Sequence, residues 1–314
     1  MTTPLISIII PNYNHASFLR QRIDSILNQT FSDFELIILD DASNDNSVEI
    51  INEYKNNPKI SRIELNQTNG GKAVLQWKKG IDMAKGDWIW IAESDDYCEP
   101  VFLEKLLEFS NQNPNCGIIY CQSEDVNSNG KKIRSRIDYT SEIDPNIWQQ
   151  NFVLKGTEFI KTGLKVKNVI PNASAVIFKR SVVLSEKVFN SLILTMRYAS
   201  DWFFWILLMK NTYVGFVSET YNYFREHSAT TRIHDTNEKI NDRVADEIII
   251  RRYLEKYYPE IEQENEWELI YSKWFSLQNN FPFFNSRFYF PKKRNLNFVN
   301  YIQKFNQFKN RKRL

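Results

Sequence analysis

The chain has 314 residues, of which 42% are hydrophobic and 25% charged, and its formal net charge is +2. This composition is that of a folded globular protein and excludes a disordered or low-complexity chain. The three cysteines form no CxxC pair, so neither a disulfide framework nor a zinc finger is expected. The charge is unevenly distributed, because residues 291–314 carry eight basic and no acidic side chains.

The first 125 residues alternate between apolar runs and segments with helical periodicity. Strands are predicted at residues 5–10, 34–39, 60–65, 88–92 and 117–121. Helices are predicted between them, at residues 15–30, 48–54 and 73–81, and after Pro100. Strands and helices that alternate at this spacing form right-handed βαβ units. We therefore predict an α/β fold with a mostly parallel sheet, which binds ligands beyond the carboxyl ends of its strands.

The pattern is looser after residue 127 and purely helical near the end of the chain. A helix is predicted at 148–159, a strand at 175–178, a helix at 201–210 and a strand at 213–217, and two helices follow at 240–257 and 261–278. We therefore expect three regions, comprising residues 1–125, 126–235 and 236–314.

Polar residues follow three of the predicted strands. They occupy residues 11–14 (Pro-Asn-Tyr-Asn), 40–45 (Asp-Asp-Ala-Ser-Asn-Asp) and 93–96 (Glu-Ser-Asp-Asp). We expect these clusters to converge at one sheet edge, where carboxylates repel one another unless a cation or a donor offsets them. Carboxylates together with phosphate oxygens suit Mg²⁺ or Mn²⁺, so a metal–diphosphate site is predicted. Capping of the next helix is the alternative for Ser43, Asn44 and Asp45.

Six motifs, in order along the chain, resemble those of the family 2 glycosyltransferases, most of all a bacterial envelope-polysaccharide branch. They are SIIIPNYN at 7–14, QTFSDFE at 29–35, DDASND at 40–45, NGGK at 69–72, AKGDWI at 84–89 and ESDD at 93–96. The resemblance covers roughly residues 5–235 and implies the GT-A fold, a Rossmann-like sheet flanked by helices. It also implies that residues 1–125 bind a nucleotide sugar, that residues 126–235 form the acceptor-binding and catalytic half, and that 236–314 is a helical extension.

The resemblance implies roles for individual residues of a donor site. Pro11 and Tyr13 would flank a uracil base. Asp41 would accept the N3–H that uracil and thymine carry and cytosine lacks. Lys72 would lie near the diphosphate, and Asn172 would lie beside the donor sugar.

The resemblance further implies a cofactor, Mn²⁺ or Mg²⁺, and residues around it. Asp95 would lie near the ribose and the metal, and Asp96 and His227 would ligate the metal. Arg225 would lie over the diphosphate. The other two histidines, His15 and His234, are interpreted as ordinary surface residues.

Residues 198–202 (Tyr-Ala-Ser-Asp-Trp) resemble the family's Glu-Asp-Trp segment, in which the aspartate is the general base of inverting transfer. The resemblance therefore implies that Asp201 takes the proton from an acceptor hydroxyl. N-capping of the helix predicted at 201–210 is the alternative for this residue.

The resemblance, together with the predicted metal–diphosphate site, implies a metal-dependent inverting glycosyltransferase. It would move a sugar from a UDP- or dTDP-sugar to a hydroxyl of a glycan, lipid-linked or polymer acceptor in cell-envelope polysaccharide synthesis. Neither GxGxxG nor GxxxxGK[ST] follows a predicted strand, which argues against a dehydrogenase or a P-loop kinase. A sugar nucleotidyltransferase and a non-catalytic nucleotide-sugar-binding protein of the same fold are the alternatives.

The basic C-terminal segment suggests a membrane contact. Apolar residues recur at helical spacing among the cations of 292–314, at Phe298, Ile302, Phe305 and Phe308. This pattern predicts an amphipathic helix on anionic lipid, with a solvated or packed tail as the alternative. No signal peptide is expected at the N-terminus, so the predicted location is cytoplasmic, peripheral to the inner face of the cell membrane. Nucleic acid is not an expected partner.

Overall fold

The computed structural model describes residues 3–170, 172–227 and 236–276. These residues form two compact units. The first unit comprises the described residues up to Met196 and those from Ser200 to 227. The second unit comprises Arg197–Ala199 and the described residues from 236 onward. Within these ranges, no helix is both long enough and apolar enough to cross a membrane. His234 and the helix predicted at 292–314 lie outside the described residues.

The first unit is built around one mixed β-sheet. In the residues that the structure describes, its ten strands are β1 (Ile6–Asn12), β2 (Phe34–Asp40), β3 (Ile60–Leu65), β4 (Trp88–Ile91), β5 (Tyr97–Cys98), β6 (Cys116–Asn127), β7 (Lys132–Ser135), β8 (Phe152–Lys155), β9 (Val176–Lys179) and β10 (Tyr213–Glu226). The strands are ordered β3-β2-β1-β4-β9-β6-β10-β5, with β7 beside β6 and β8 beside β10.

The four strands at one side of the sheet, β3, β2, β1 and β4, are parallel, and Ile6 pairs with both Phe34 and Trp88. Strand β9 lies antiparallel between β4 and β6, and β10 is parallel to β6. Every residue of β1 and β2 is buried, as expected for parallel strands covered on both faces. The predicted α/β fold with a mostly parallel sheet is confirmed.

Helices connect and cover these strands. Those of the first unit are α1 (Ala16–Leu27), α2 (Ser47–Tyr54), α3 (Ala73–Met83), α4 (Phe102–Gln112), α5 (Ile137–Ser141), α6 (Gly156–Phe159), α7 (Arg180–Glu186), α8 (Ser191–Thr195) and α9 (Ser200–Leu208). In α1, the fully buried Leu19, Ile23 and Ile26 recur at the spacing of one helical face. The first four helices agree with those predicted from periodicity, with ends that differ by a few residues.

Motif residues at the amino ends of the strands hold the sheet together. The Ser7 hydroxyl donates to Glu35 Oε1 across 2.7 Å, which joins β1 to β2. The backbone N–H of Lys85 donates to Glu35 Oε1, and that of Gly86 donates to the Ser7 hydroxyl oxygen. A Cβ atom at Gly86 would lie 2.6 Å from the Ser7 backbone nitrogen, so the approach of the two segments requires glycine.

The prediction of one helix over residues 148–159 is wrong. A 3₁₀ turn at Ile147–Gln149 and strand β8 come before the short helix α6. Phe152 of β8 pairs with Phe216 of β10, and their ring centroids lie 5.1 Å apart. Because β10 offers an open edge to pair with, this segment is extended despite its helix-like apolar spacing.

The described part of the second unit contains two helices, α10 (Asn237–Tyr257) and α11 (Glu264–Ser276). The Thr236 hydroxyl accepts the backbone N–H of Lys239 and so caps α10. Asp246 accepts the backbone N–H groups of residues 197–199, which ties that segment to α10. Burial raises the pKa of Asp246, and these hydrogen bonds partly oppose the rise.

Candidate functional site

The carboxyl ends of β1, β2 and β4 meet at one edge of the sheet. The Asp41 backbone N–H donates to the Asn12 carbonyl, and the Asn12 side chain donates to Asp40 Oδ2 across 2.7 Å. His15 Nδ1 lies 2.8 Å from the Ser94 hydroxyl oxygen, which joins the segment after β1 to the segment after β4. The three polar clusters therefore lie side by side, as their positions after parallel strands predict.

The cluster after β2 includes a residue that caps helices. Asp45 accepts the N–H of Ala16 at the start of α1 across 2.9 Å, and that of Ser47 at the start of α2 across 3.0 Å. Burial acts to raise the pKa of Asp45, but the hydrogen bonds that its carboxylate accepts outweigh burial and lower the pKa. Asp45 therefore satisfies the first backbone donor of each of two helices, although the N-cap positions are occupied by His15 and Asn46.

Polar groups surround the Asp41 carboxylate. Asp41 is 5% exposed and accepts hydrogen bonds from the Asn66 and Gln76 side chains, each across 2.7 Å, and from the Gly70 backbone N–H. Three of these contacts are to Oδ1, whereas Oδ2 shares only the Gly70 N–H, so Oδ2 can accept a further donor. In the segment after β1, Tyr13 is 44% exposed, and Pro11 is buried at the end of β1.

The three acids after β4 have different surroundings. Glu93 Oε1 accepts the indole N–H of Trp77, and burial, with the nearby charge of Asp95, raises the pKa of Glu93 to about 8.

Asp96 is 1% exposed and accepts the Arg225 backbone N–H and the Asn172 side-chain amide. Burial and the charge of Asp95 raise the pKa of Asp96. Burial acts on Asp95 in the same direction, but its hydrogen bond to His227 and the neighbouring imidazoles hold its pKa below the ordinary value.

A buried arginine lies behind these acids. The Arg22 side chain, from α1, is fully buried, and its Nε donates to the Glu93 carbonyl across 2.8 Å. Its Nη2 lies 4.0 Å from Asp96 Oδ2. Arg22 therefore places a positive charge against the acidic cluster. It was missed from the sequence because a single arginine in an amphipathic helix reads as a solvated residue.

Two histidines lie against Asp95. His227 Nε2 is 3.0 Å from Asp95 Oδ2, and the ring centroids of His15 and His227 are 5.2 Å apart. The interpretation of His15 as an ordinary surface residue is wrong, because it is partly buried and contacts Ser94 and His227. The sequence carried one weak signal, its position directly before α1 and after the polar cluster at 11–14.

The side chains of His15, Asp95 and His227 fit a divalent cation. One ligand atom from each lies within 4.8 Å of the other two, which is close enough for one ion to contact all three. Two imidazoles and a carboxylate are donors that Mn²⁺ and other first-row divalent metals accept. Among the described residues, Asp96 does not belong to this group. To ligate the ion, Asp96 would have to exchange the hydrogen bonds that it accepts from the Asn172 side chain and the Arg225 backbone N–H.

Arg225 is brought to the same edge by strand β10, which continues to Glu226, well beyond the predicted 213–217. Its side chain is 1% exposed, and Nε donates to the Asp95 carbonyl across 2.8 Å. The other donors contact the carbonyls of residues 127 and 128 and the Gln21 side chain. The guanidinium therefore fixes the backbone of Asp95, and the predicted contact with a diphosphate would require these bonds to break.

The remaining predicted residues are Lys72, which precedes α3, and Asn172 and Asp201, which come from the later part of the first unit. Asn172 donates to Asp96 and accepts the Asn222 side-chain amide across 3.0 Å, so it is buried behind the acids. Lys72, at the start of α3, donates from Nζ to the Leu194 carbonyl. Asp201 lies in the first turn of α9, one residue after its start, and is partly exposed.

The Asp201 carboxylate is held at both oxygens. Oδ2 accepts the Asn168 side-chain amide across 2.8 Å, and Oδ1 accepts the backbone N–H of Trp202 across 2.7 Å. Each oxygen keeps one acceptor site, so a substrate hydroxyl can still donate to it. The residues that follow, Trp202 to Trp205, are buried in the core.

Known proteins resemble the chain in sequence. The model of "Glycosyl transferase family 2" matches residues 7–182, more than half of the chain. An uncharacterized glycosyltransferase of Haemophilus influenzae is 36% identical over 165 residues, which are 51% of this chain and 66% of that protein. Chondroitin synthase of Pasteurella multocida is 40% identical over 131 residues, which are 41% of this chain and 13% of that protein. The matched region thus spans less than two thirds of each of these relatives.

Solved structures resemble the chain in fold. S. aureus TarS in complex with UDP has a TM-score of 0.58 at 16% identity, over 87% of this chain and 81% of that chain. A mannosyltransferase of Pyrobaculum calidifontis in complex with GDP-Man and Mn²⁺ has a TM-score of 0.53 at 14% identity, over 79% of this chain and 63% of that chain. The fold agrees with the family match, and the chain belongs to glycosyl transferase family 2.

Proposed function

We propose that this chain is an inverting, metal-dependent glycosyltransferase that uses a nucleotide-sugar donor. The observation that carries the proposal is the edge where Asp41, the exposed Tyr13 and the group of Asp95, His15 and His227 lie on adjacent segments. Groups that can bind a base next to a cation site are what a nucleoside diphosphate sugar requires. The family match supports the reaction class, and the UDP complex of TarS supports this kind of donor.

The base of the donor would bind at Tyr13 and Asp41. An exposed aromatic face stacks on a pyrimidine, with Pro11 on its other side, and the open acceptor site of Asp41 Oδ2 receives N3–H. Uracil and thymine have this proton and cytosine lacks it, so the proposed donors are UDP- and dTDP-sugars. Lys72 remains the proposed contact to the diphosphate. The proposed contact of Asn172 to the sugar would require this side chain to exchange its hydrogen bonds with Asp96 and Asn222.

The proposed cation, Mn²⁺ or Mg²⁺, would be held by Asp95 and His227. When bound, such a cation supplies positive charge against the phosphate oxygens of the leaving nucleotide. The protein's own part is to hold the ligands in place. Arg225 fixes the Asp95 carbonyl, while Asp96, Arg22 and Asn172 form the buried layer behind it.

Asp201 would be the general base. As the acceptor hydroxyl donates its proton to the carboxylate, the acceptor oxygen bonds to the anomeric carbon, and the bond from that carbon to the phosphate oxygen breaks. Attack from the face opposite the leaving group inverts the anomeric configuration in one displacement. Asn168 and the Trp202 N–H orient the carboxylate for this step.

The proposed acceptor is a hydroxyl of a glycan, lipid-linked or polymer substrate in cell-envelope polysaccharide synthesis. A polysaccharide synthase among the relatives, chondroitin synthase, supports a carbohydrate acceptor. A lipid-linked acceptor would agree with the membrane contact proposed for residues 292–314, at the inner face of the membrane.

A panel of nucleotide sugars tests this proposal. The full chain is incubated with UDP-, dTDP-, GDP- and CDP-sugars, and nucleotide release is measured with Mn²⁺ and with excess chelator. We expect release from a UDP- or dTDP-sugar that the chelator abolishes. Release from no donor, with UDP still bound, would favour the non-catalytic alternative. Formation of pyrophosphate from UTP and a sugar 1-phosphate would favour a sugar nucleotidyltransferase.

A further inference from the structure

The His15 imidazole lies beside the candidate metal ligands, although it comes from another element of the fold. Asp95 follows β4 and His227 follows β10, whereas His15 lies between β1 and α1. One ligand atom of each of the three side chains lies within 4.8 Å of the others. None of the metal positions implied by the family motifs includes His15.

The contact of His15 with Ser94 leaves one ring nitrogen for a metal. Nδ1 is 2.8 Å from the Ser94 hydroxyl oxygen, and Ser94 is buried, so this contact holds the ring in one orientation. With Nδ1–H donating to this hydroxyl, Nε2 carries the lone pair. Metal-ligating histidines usually donate their other ring N–H to a protein acceptor in this way.

Helix capping does not explain the position of His15. It precedes α1, but its side chain makes no capping hydrogen bond. The first backbone donor of the helix, the Ala16 N–H, is accepted by Asp45. The ring contacts are with Phe18 and His227, so the imidazole lies toward the acidic edge.

We infer that His15 is a third protein ligand of the divalent cation, together with Asp95 and His227. The inference rests on the proposed function, which it deepens. Two imidazoles and one carboxylate form a softer donor set than carboxylates alone, so the site should prefer Mn²⁺ over Mg²⁺. Three protein ligands should also allow Mn²⁺ to bind before the nucleotide sugar does.

Direct Mn²⁺ titration tests the inference without an activity assay. The full chain is titrated with Mn²⁺ alone and with Mn²⁺ plus UDP, and free Mn²⁺ is measured by electron paramagnetic resonance. We expect His15→Gln and His227→Gln each to weaken Mn²⁺ binding by at least about tenfold, and His15→Gln to weaken Mg²⁺ binding less. Glu53→Gln, which removes an exposed carboxylate paired with Arg20, is the control and should change neither affinity.

Pulsed magnetic resonance on protein with ¹⁵N-labelled histidine counts the bound imidazoles independently of any variant. The wild type should show coupling from two imidazoles, and His15→Gln from one. A single coupled imidazole in the wild type, or unchanged Mn²⁺ affinity in a folded His15→Gln or His15→Asn variant, would overturn the inference. Absence of Mn²⁺ binding with and without UDP would also overturn it. If Mn²⁺ binding depends on His15 but the enzyme turns over no nucleotide sugar, the proposed transferase activity is rejected. The assignment of His15 as a metal ligand would then still hold.

Discussion

Glu93, Asp95 and Asp96 differ little in chemistry and stand within four residues of one another, yet each has different hydrogen-bond partners. Glu93 is bound by an indole N–H, Asp96 by a backbone N–H and an amide, and Asp95 by an imidazole. Only the Asp95 carboxylate among these three lies with two other candidate metal ligands. The function of an acid at this edge is therefore decided by its neighbours and not by its residue type.

Asp201 is the residue on which the transferase proposal depends most. Asp201→Asn keeps the size of the side chain and an oxygen to accept the Trp202 N–H, but it removes the base. We expect sugar transfer to fall by about 10²–10⁴-fold while UDP affinity stays unchanged, because a weak hydroxyl nucleophile needs a base in the transition state. Steady-state kinetics and nucleotide titration measure the two quantities.

The matched control for this prediction is Asp82→Asn, which alters an exposed aspartate that pairs with Lys78. It should transfer sugar at the wild-type rate. Near wild-type transfer by Asp201→Asn would place the base elsewhere. A large loss of melting temperature in Asp201→Asn would instead show that the residue mainly stabilises the start of α9.

At the scale of elements, the two ends of the parallel strands carry different kinds of motif. Ser7, Glu35 and Gly86 lie at the amino ends, where their hydrogen bonds and close contacts join β1, β2 and the segment before β4. Asn12, Asp41 and Asp95 lie at or beyond the carboxyl ends, where the strands leave side chains and backbone groups facing a common edge. The family motifs therefore divide into residues that assemble the sheet and residues that surround the candidate site.

A pair of glycine substitutions tests this division. Gly86→Ala should lower the free energy of unfolding by roughly 1–3 kcal/mol or more, because the new Cβ would lie 2.6 Å from backbone that cannot move freely. Gly70→Ala is the control, since its Cβ would meet Asp41 at 3.5 Å, an ordinary contact. Urea denaturation measures both variants, and equal stability of the two would contradict the packing argument.

At the scale of the whole molecule, charge is separated along the chain. Residues 291–314 hold eight of the 40 basic residues and none of the 38 acidic ones, so the rest of the chain is net acidic. A basic segment with an apolar stripe is attracted to anionic headgroups, whereas an acidic body is repelled by them. Any membrane contact of this protein should therefore depend on the C-terminal segment and weaken with salt.

Liposome sedimentation tests the membrane contact. The full chain should sediment with vesicles that contain anionic lipid, and a chain ending at residue 291 should stay in the supernatant. Neutral vesicles are the control, and they should bind neither form. Equal sedimentation of both forms with anionic vesicles would exclude residues 292–314 as the contact.

The sequence by itself determined the parallel half of the sheet, its connecting helices and the clusters at 11–14, 40–45 and 93–96. These features depend on local periodicity and on the rule that parallel strands end at one edge, both of which are properties of short segments. The predicted lengths of β1 to β4 were accurate for the same reason.

Only the tertiary structure decided which side chains meet. His15 and Asp95 are 80 residues apart in sequence, Arg225 reaches the Asp95 carbonyl from β10, and Arg22 reaches the acids from α1. The same holds for residues 152–155, which are extended because they pair with β10. Such contacts depend on packing between distant segments, and a buried charge has no local pattern that distinguishes it from a solvated one.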